Sequence, residues 1–464
     1  MSQLGLRLGT MALVCSAAAT LHALPADTVA TDVGIRLDSA LRAAERRGFS
    51  GVVRVERGGT LLLRKGYGLS DRERRIPFSD ATVVQIGSNT KDFTLVALLR
   101  LQQRGRLSLR DSLAKYFPTA PADKRGITLQ QLVDHRGGFP IGIGGDFEAL
   151  TRDQFLQRAL AAPLRAQPGT SEIYSNTGYA ILAAVIEQVT GKSYDAYVRE
   201  DLLVPLGLEN TGYLLPHFDP ARIAHGYDHG QDQGHVLLKP HAPDGPYWNL
   251  RGNGGMVSTV EDMHAFYRAL FDSDRLLPAG ARGGRFDPTQ PVGLAGSDLV
   301  HFFLFERLPS EGLEIIIATN SADAPAPMIR DAIAPLLGVP SMKDRASEPP
   351  AAPPPGAKEP SPAVASLIRE LFTAVNAADS AALARMVAER FDNSDGPPVA
   401  QRVARFQQMH GRLGMLTPTA MWLDADGAVT ASATTANEGA ATLVFAVSAE
   451  SPPKIRSIRV MVGG

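Results

Sequence analysis

The alternation of apolar and polar residues predicts strands at both ends of a long region and helices between them. The predicted strands are 52–57, 60–64, 300–305 and 313–318, and a Gly58-Gly59 turn joins the first two into a hairpin. Helical periodicity predicts helices at 34–47, after Asn89, and at 328–337. Strands at both ends of this region, around a helical middle, suggest that the two ends of the region pair in one sheet. We therefore expect an α+β domain: an antiparallel sheet flanked by helices, with a helical subdomain.

The pattern changes after residue 340. Residues 341–362 contain seven prolines in 22 residues, which is typical of a semi-rigid linker. Helical patterns and then strand patterns come after it, so we expect a main domain at 30–340, a linker at 341–362 and a small C-terminal α+β domain at 363–464. Its predicted helices are 364–375, 381–389 and 399–409, and its predicted strands are 421–423, 429–434, 442–447 and 455–460, with an Asp426-Gly427 turn.

The first 26 residues have the order of an export signal. Arg7 precedes an apolar, small-residue run at 8–23, and no later stretch is long enough to span a membrane. We interpret 1–26 as a signal peptide and expect a periplasmic or secreted protein; a buried N-terminal helix is the alternative. Cys15 is the one cysteine of the chain, so a disulfide framework and a mature cysteine nucleophile are excluded if the signal is removed.

Charge excludes one broad class of function. Lys and Arg number 47 against 48 Asp and Glu, a net charge of −1. Binding to nucleic acid needs an excess of basic residues to neutralise phosphates. We therefore expect no nucleic-acid partner.

A serine–lysine pair marks the start of the helix after Asn89. In Ser88-Asn89-Thr90-Lys91 the spacing of three residues puts both side chains on one helix face, and the helix beyond it is apolar nearly all round, hence buried. A desolvated lysine loses proton affinity and can activate a serine hydroxyl. The same spacing recurs at Ser112/Lys115 and Ser451/Lys454, where no long buried helix comes next. An ordinary helix cap remains the alternative for Ser88.

A second candidate is Tyr174-Ser175-Asn176, just before another apolar helix. A tyrosine hydroxyl near Lys91 could move protons, and the Asn176 amide could orient a carbonyl substrate. The alternative is a packed tyrosine with an asparagine cap. Tyr247-Trp248-Asn249 has the same spacing, but glycines and prolines surround it, so we favour Tyr174.

With these motifs, residues 35–340 resemble the serine β-lactamase and penicillin-binding-protein-like family, most of all class C β-lactamases, the related serine esterases and D-alanyl-D-alanine peptidases. Supporting stretches are 129–140 and 251–263. The resemblance implies Ser88 as nucleophile with Lys91 and Tyr174 as its proton-transfer partners, and Asn176 as substrate-binding. It also implies an oxyanion hole from the backbone N–H groups of Ser88 and Ser297, and it implies no cofactor.

The third motif of that family departs from its pattern. The equivalent stretch is 293–297, where Leu294 replaces the usual Lys, His or Trp and Gly296 and Ser297 complete the substrate-binding group. The cation that would hold a substrate carboxylate is missing, so we expect neutral or peptide-like esters or amides. The alternative is a catalytically impaired relative that binds a ligand or the cell wall.

Two further regions are candidates for function. Five histidines lie in a glycine-rich region with Asp228 and Asp232, and we expect loop histidines rather than a metal site: His217, His225, His229, His235 and His241. The C-terminal domain resembles the cone fold of the nuclear-transport-factor and ketosteroid-isomerase type in its element order. We expect an accessory module there, able to make a homo-oligomer.

Overall fold

The computed structural model describes residues 27–462 except 216–218, 283, 343–352, 354–356, 393–397, 424–427, 437–438 and 449. The signal peptide, most of the linker, the Asp426-Gly427 turn and His217 lie outside the described residues. No helix in the described part of the chain has the length and apolar character needed to cross a bilayer.

The main domain is built on one antiparallel sheet of six strands. In spatial order these are β1 (Thr28–Val29), β3 (Thr60–Tyr67), β2 (Gly51–Arg57), β12 (Leu313–Thr319), β11 (Phe302–Leu308) and β10 (Val292–Ser297). At its centre β2 pairs with β12, with Val53 opposite Ile317. The expectation of an α+β domain with an antiparallel sheet is confirmed, and the sheet joins strands from the two ends of this region.

Side chains of alternate strand residues point into two different cores. Val53 and Val55 pack with helices α1 (Asp32–Glu45) and α10 (Ala326–Leu337) on one face. Val52 and Ile316 pack with the helical middle of the chain on the other face. This period of two is the one that the sequence pattern predicted.

The helical subdomain fills the chain between β3 and β10. Its helices are α2 (Thr90–Gln103), α3 (Leu113–Tyr116), α4 (Leu129–Val133), α5 (Arg152–Ala161), α6 (Asn176–Thr190), α7 (Tyr194–Val198), α8 (Val204–Leu206) and α9 (Val260–Phe271). Three short strands come before α2 in the described part of the chain, namely β4 (Leu69–Asp71), β5 (Ile76–Pro77) and β6 (Val84–Gln85). Three more lie between α8 and α9 there, namely β7 (Gly226–Asp228), β8 (Gln231–Gly234) and β9 (Val257–Ser258). Helices α2 and α6 contact each other and carry the two sequence motifs.

The C-terminal part forms its own sheet and core. Its helices are α11 (Pro362–Ala377), α12 (Ser380–Arg390) and α13 (Val399–Leu413), and its strands are β13 (Leu416–Leu423), β14 (Val429–Thr435), β15 (Gly439–Val447) and β16 (Ile455–Val462). The four strands pair antiparallel in chain order. A separate α+β unit is therefore present, whereas its likeness to the cone fold stays a prediction.

Candidate active site

Ser88 lies in a single 3-10 turn that leads into α2. The turn covers Gly87–Asn89, and Gly87 has a φ of +50°, a conformation that favours glycine. Helix α2 is buried along most of its length, so the lysine in its first turn is drawn into the protein interior with it. Ser88 itself stays partly exposed, as a group that must meet a substrate has to be.

Lys91 is a buried lysine placed against the Ser88 hydroxyl. It is 3% exposed, and its Nζ lies 3.0 Å from Ser88 Oγ and 2.7 Å from the carbonyl oxygen of Asn253. Burial lowers the pKa of Lys91 to about 7, and the charge of Arg285 lowers it further while that of Asp92 raises it. A large fraction of the amine is therefore neutral near pH 7 and able to accept a proton.

Tyr174 reaches the same hydroxyl from the loop before α6. Its phenol oxygen lies 2.5 Å from Ser88 Oγ, and the Lys91 ammonium lies 4.9 Å from the centre of its ring. Desolvation raises the pKa of Tyr174, although the side chain is partly exposed, so the phenol keeps its proton at neutral pH. Ser88, Lys91 and Tyr174, which are far apart in sequence, thus converge at one point.

His135 holds Tyr174 in place and was not singled out by the sequence motifs. Its ring packs 4.5 Å from that of Tyr174, and its Nδ1 accepts a hydrogen bond from the backbone N–H of Ser175 at 3.1 Å. Burial lowers the pKa of His135 to about 4, so the imidazole is neutral and its Nδ1 can accept this hydrogen bond. Ser175, and not Asn176, caps α6 by accepting from Gly178 N.

Asn176 lines the cleft that contains Ser88, and the rival motif does not. The Oδ1 atom of Asn176 is buried and has no hydrogen-bond partner among the described residues. Tyr247 instead lines a separate cavity of about 560 Å³, and Trp248 beside it is 7% exposed. The preference for Tyr174 therefore agrees with the structure, because its hydroxyl contacts Ser88 Oγ while Tyr247 does not line this cleft.

Strand β10 passes so close to Ser88 that two positions leave no room for a side chain. A Cβ atom on Gly296 would lie 2.0 Å from Ile86 O and 2.6 Å from Ser88 N, and one on Gly87 would lie 2.3 Å from Ser297 N. This contact brings the backbone nitrogens of Ser88 and Ser297 to the same edge of the cleft. Two such N–H groups are the donors that an oxyanion hole requires.

Leu294 is buried in the core and does not line the cleft. Burial alternates along β10, so that Leu294 is 4% exposed while Ala295 and Ser297 face outward. Because Leu294 is apolar, it packs in this buried position without needing a charged partner. It also leaves the third motif without its usual cation.

A cation that the sequence reasoning missed lies on the other side of Lys91. Arg285 donates to the fully buried Asp92 carboxylate at 3.1 Å, and Tyr267 also donates to Asp92, at 3.0 Å. The charge of Arg285 lowers the pKa of Lys91 and of Tyr174. Asp92, a carboxylate in the first turn of this mostly apolar helix, was the sequence signal for such a partner.

The histidine-rich region contributes one wall of the cleft. His235 lines the cavity with Ser88, and burial lowers its pKa to about 4. His225 contacts Asp232 at 2.8 Å, and His229 lies 3.2 Å from Asp323.

One group of metal-ligand type lies elsewhere among the described residues. Glu56, His264 and Glu314 have ligand atoms within 4.8 Å of one another. Arg54 and Arg307 already donate to its two carboxylates, so each of those charges has a cationic partner.

Known proteins share this fold. PbpX of Bacillus subtilis (strain 168) is 30% identical over 225 residues, which cover 48% of this chain and 56% of that protein. FmtA from Staphylococcus aureus has a TM-score of 0.56 at 23% identity, covering 66% of this chain and 88% of that one. A β-lactamase/D-alanine carboxypeptidase from Pseudomonas syringae has a TM-score of 0.55 at 19% identity, covering 66% and 98%.

These likenesses have defined limits. The chain spans about half the length of the curated relatives it matches, and the structural likenesses show the fold alone. The family model described as Beta-lactamase matches residues 36–297, which is more than half of the chain. The chain therefore belongs to the β-lactamase family, whose members are generally serine hydrolases.

Proposed function

We propose that this chain is an exported serine hydrolase that forms an acyl-enzyme at Ser88 and hydrolyses an ester or amide. The observation that carries the proposal is the position of the buried Lys91 amine, 3.0 Å from Ser88 Oγ, with the Tyr174 phenol 2.5 Å from the same oxygen. A serine needs such an adjacent base to become a nucleophile. The order of charge, apolar run and small residues at 1–26 supports export to the periplasm or the medium.

The proposed reaction starts from neutral Lys91. One amine N–H is donated to the carbonyl of Asn253, and the nitrogen lies 3.0 Å from Ser88 Oγ, close enough to accept its proton. As Ser88 Oγ attacks the substrate carbonyl, its proton passes to Lys91, and the N–H groups of Ser88 and Ser297 stabilise the oxyanion. Tyr174 delivers its proton to the leaving group and regains one from the Lys91 ammonium, so both groups return to their starting states. Water then attacks the acyl-enzyme and loses its proton to neutral Lys91, and Ser88 recovers its hydroxyl proton from Lys91 as the acid product leaves.

The third motif limits the substrates we propose. Because Leu294 is buried and carries no charge, this strand offers no cation to a substrate carboxylate. Penicillins and D-alanyl-D-alanine peptides carry that carboxylate. Esters or amides that lack it are the better substrates on this account.

The same residue favours a second function. A family member that has lost its third-motif cation could bind a cell-wall ligand without turning it over. In that case the cleft would hold its ligand while Ser88 forms no covalent bond with it.

Covalent labelling distinguishes the two functions. The protein is treated with a fluorophosphonate and, separately, with a penicillin, and its intact mass and Ser88 peptide are measured. We expect a fluorophosphonate adduct on Ser88 that Ser88→Ala abolishes and Ser112→Ala leaves unchanged, with slower labelling by penicillin. No adduct on wild-type protein with either reagent would contradict the hydrolase and favour the binding protein.

A further inference from the structure

A buried histidine lies beside the oxyanion hole, and the proposed reaction does not use it. His301 is 1% exposed and stands directly before β11, at the end of the loop 298–301 that joins β10 to β11. Its Nδ1 lies 2.9 Å from Asp298 Oδ2, and its Nε2 lies 3.1 Å from the carbonyl oxygen of Ala224. Both nitrogens of the ring therefore face oxygen acceptors.

These two contacts fix the protonation state of the ring. A neutral imidazole has one N–H and one lone pair, so one of the two contacts would place a buried lone pair against an oxygen. Asp298 does not supply the missing proton, because its Oδ1 accepts from the backbone N–H groups of Val300 and His301, at 3.2 Å and 2.6 Å, and such bonds favour the carboxylate. An imidazolium donates from both nitrogens and satisfies both acceptors.

The Asp298 side of this arrangement holds the end of β10. Asp298 directly follows Ser297, and the Ser297 hydroxyl oxygen accepts from the backbone N–H of Leu299 at 2.8 Å. Leu299 has a φ of +82°, which is strained for a leucine and persists only where the surrounding contacts impose it. The ion pair between Asp298 and His301 therefore braces a strained turn that starts at one of the two proposed oxyanion donors.

The Ala224 side of the arrangement leads to the other donor. The backbone N–H of Ala224 donates to the carbonyl oxygen of Val83 at 2.8 Å. Val83 directly precedes β6, and the chain runs from β6 to the turn that contains Ser88. His301 is therefore a bridge between the segment that leads to Ser88 and the loop that follows Ser297.

We propose that His301 is a positioning residue: its imidazolium fixes the separation of the backbone N–H groups of Ser88 and Ser297, and the site loses this bridge when the ring loses its proton. The inference rests on the proposed function of Ser88 and adds an upper pH limit to it, which regulates the same site. Oxyanion donors act through their fixed positions, so a looser bridge lowers the rate of the reaction rather than the binding of substrate.

The groups that face His301 set the direction of this pH dependence. Burial opposes the charge of the ring, but the charge of Asp298 and the two hydrogen bonds outweigh burial and raise the pKa of His301 above its ordinary value of 6.5. Asp232 acts in the same direction, and it also contacts His225 at 2.8 Å. The nearby His235 is neutral at pH 7, since burial lowers its pKa to about 4. The bridge is therefore intact near pH 7 and is lost as the pH rises through the pKa of His301.

The pH profile of kcat tests the positioning role. Hydrolysis of a neutral p-nitrophenyl ester is measured across neutral and alkaline pH, and we expect the kcat of the wild-type protein to fall on the alkaline side. His301→Asn removes the imidazolium, and we expect kcat about tenfold lower at pH 7, KM nearly unchanged and no alkaline fall. The control His229→Asn replaces a ring that is 88% exposed, and we expect it to keep the wild-type profile. No alkaline fall in the wild-type protein, or one that persists in His301→Asn, overturns the inference, because a merely structural role would lower kcat at every pH.

The charge of the ring can be measured without catalysis and without a variant of His301. In Ser88→Ala protein with ¹⁵N-labelled histidine rings, NMR reports the protons on each ring nitrogen, and through-space contacts to Ala224 assign the His301 signals. We expect two protonated nitrogens at pH 7 and a titration midpoint above 6.5, which Asp298→Asn lowers by about one unit or more because the paired charge is lost. A His301 ring that is neutral at pH 7 overturns the inference whether or not the chain hydrolyses esters. Failure of the proposed function has a different signature, the absence of a fluorophosphonate adduct on Ser88 of the wild-type protein.

Discussion

The chain contains two helix starts with the same Ser-x-x-Lys spacing, and the structure gives them different environments. Lys91 is 3% exposed and lies 3.0 Å from Ser88 Oγ. The Lys115 side chain is 54% exposed and pairs with Asp111 at 2.8 Å, four residues before it. The first lysine has a pKa lowered to about 7, whereas the second is an ordinary surface ion pair.

The difference lies in the helix that each motif begins. Helix α2 runs for 14 residues and is packed on nearly all sides, so its first turn is drawn into the core. Helix α3 has four residues and leaves Lys115 in water. Spacing alone therefore places two side chains on one face, and burial decides whether the amine can act as a base.

Replacement of each serine in turn should give the largest contrast. Ser88→Ala removes the nucleophile, and we expect a loss of hydrolysis of at least ~10⁴-fold. Ser112→Ala changes a residue outside the cleft, and we expect no loss. Hydrolysis of a neutral p-nitrophenyl ester measures both, and equal activity of the two variants would show that the comparison is wrong.

Replacement of the two lysines should give the next largest difference in acylation rate. Lys91→Met keeps the bulk of the side chain but removes the base, and we expect acylation to slow by ~10²-fold or more. Lys115→Met removes an exposed ion pair worth less than ~1 kcal/mol, and we expect little change in rate or stability. Stopped-flow labelling with a fluorophosphonate measures the rates. Unchanged acylation in Lys91→Met would mean that Lys91 only packs.

The phenol should contribute less than the amine. Tyr174→Phe removes the hydroxyl beside Ser88 Oγ but keeps the ring against His135, and we expect kcat to fall by roughly 10- to 100-fold. Tyr247→Phe is the matched control, because Tyr247 lies in the other cavity. A larger loss in the control than in Tyr174→Phe would favour the rival motif.

The charge of Arg285 should have the smallest effect, seen as a shift in the pH profile. Activity should rise with pH through about 7 as Lys91 loses its proton. Because Arg285 lowers that pKa, Arg285→Gln should raise it and move the rise to higher pH, with a loss of about fivefold at pH 7 for a shift of about one unit. The control Arg275→Gln should leave the profile in place; a shift to lower pH in Arg285→Gln would contradict the assigned cause.

Much of the fold was predictable because its strands have a strict period of two. The hairpin around Gly58-Gly59 and the closing strands needed only that pattern, and it also places Val53 and Val52 in opposite cores. The sequence pattern predicted a strand at 300–305. The residues just before it, 292–297, also form a strand, which lies at the edge of the sheet. Two glycines in a short segment weaken the strand pattern there.

The site was predictable where a helix carries it and not where loops do. Ser88, Lys91 and Tyr174 stand at the starts of apolar helices, which gives them a recognisable context. Arg285 lies in a segment without periodicity, so its place depends on contacts made by distant parts of the chain.

The proton affinity of Lys91 is the most direct test of the account. Protein labelled with ¹³C at lysine Cε is titrated by NMR, and the Lys91 signal is assigned by its loss in Lys91→Met. We predict a midpoint near pH 7 for Lys91. A Lys91 midpoint near 10.5, the ordinary lysine value, would contradict the claim that burial makes this amine the base for Ser88.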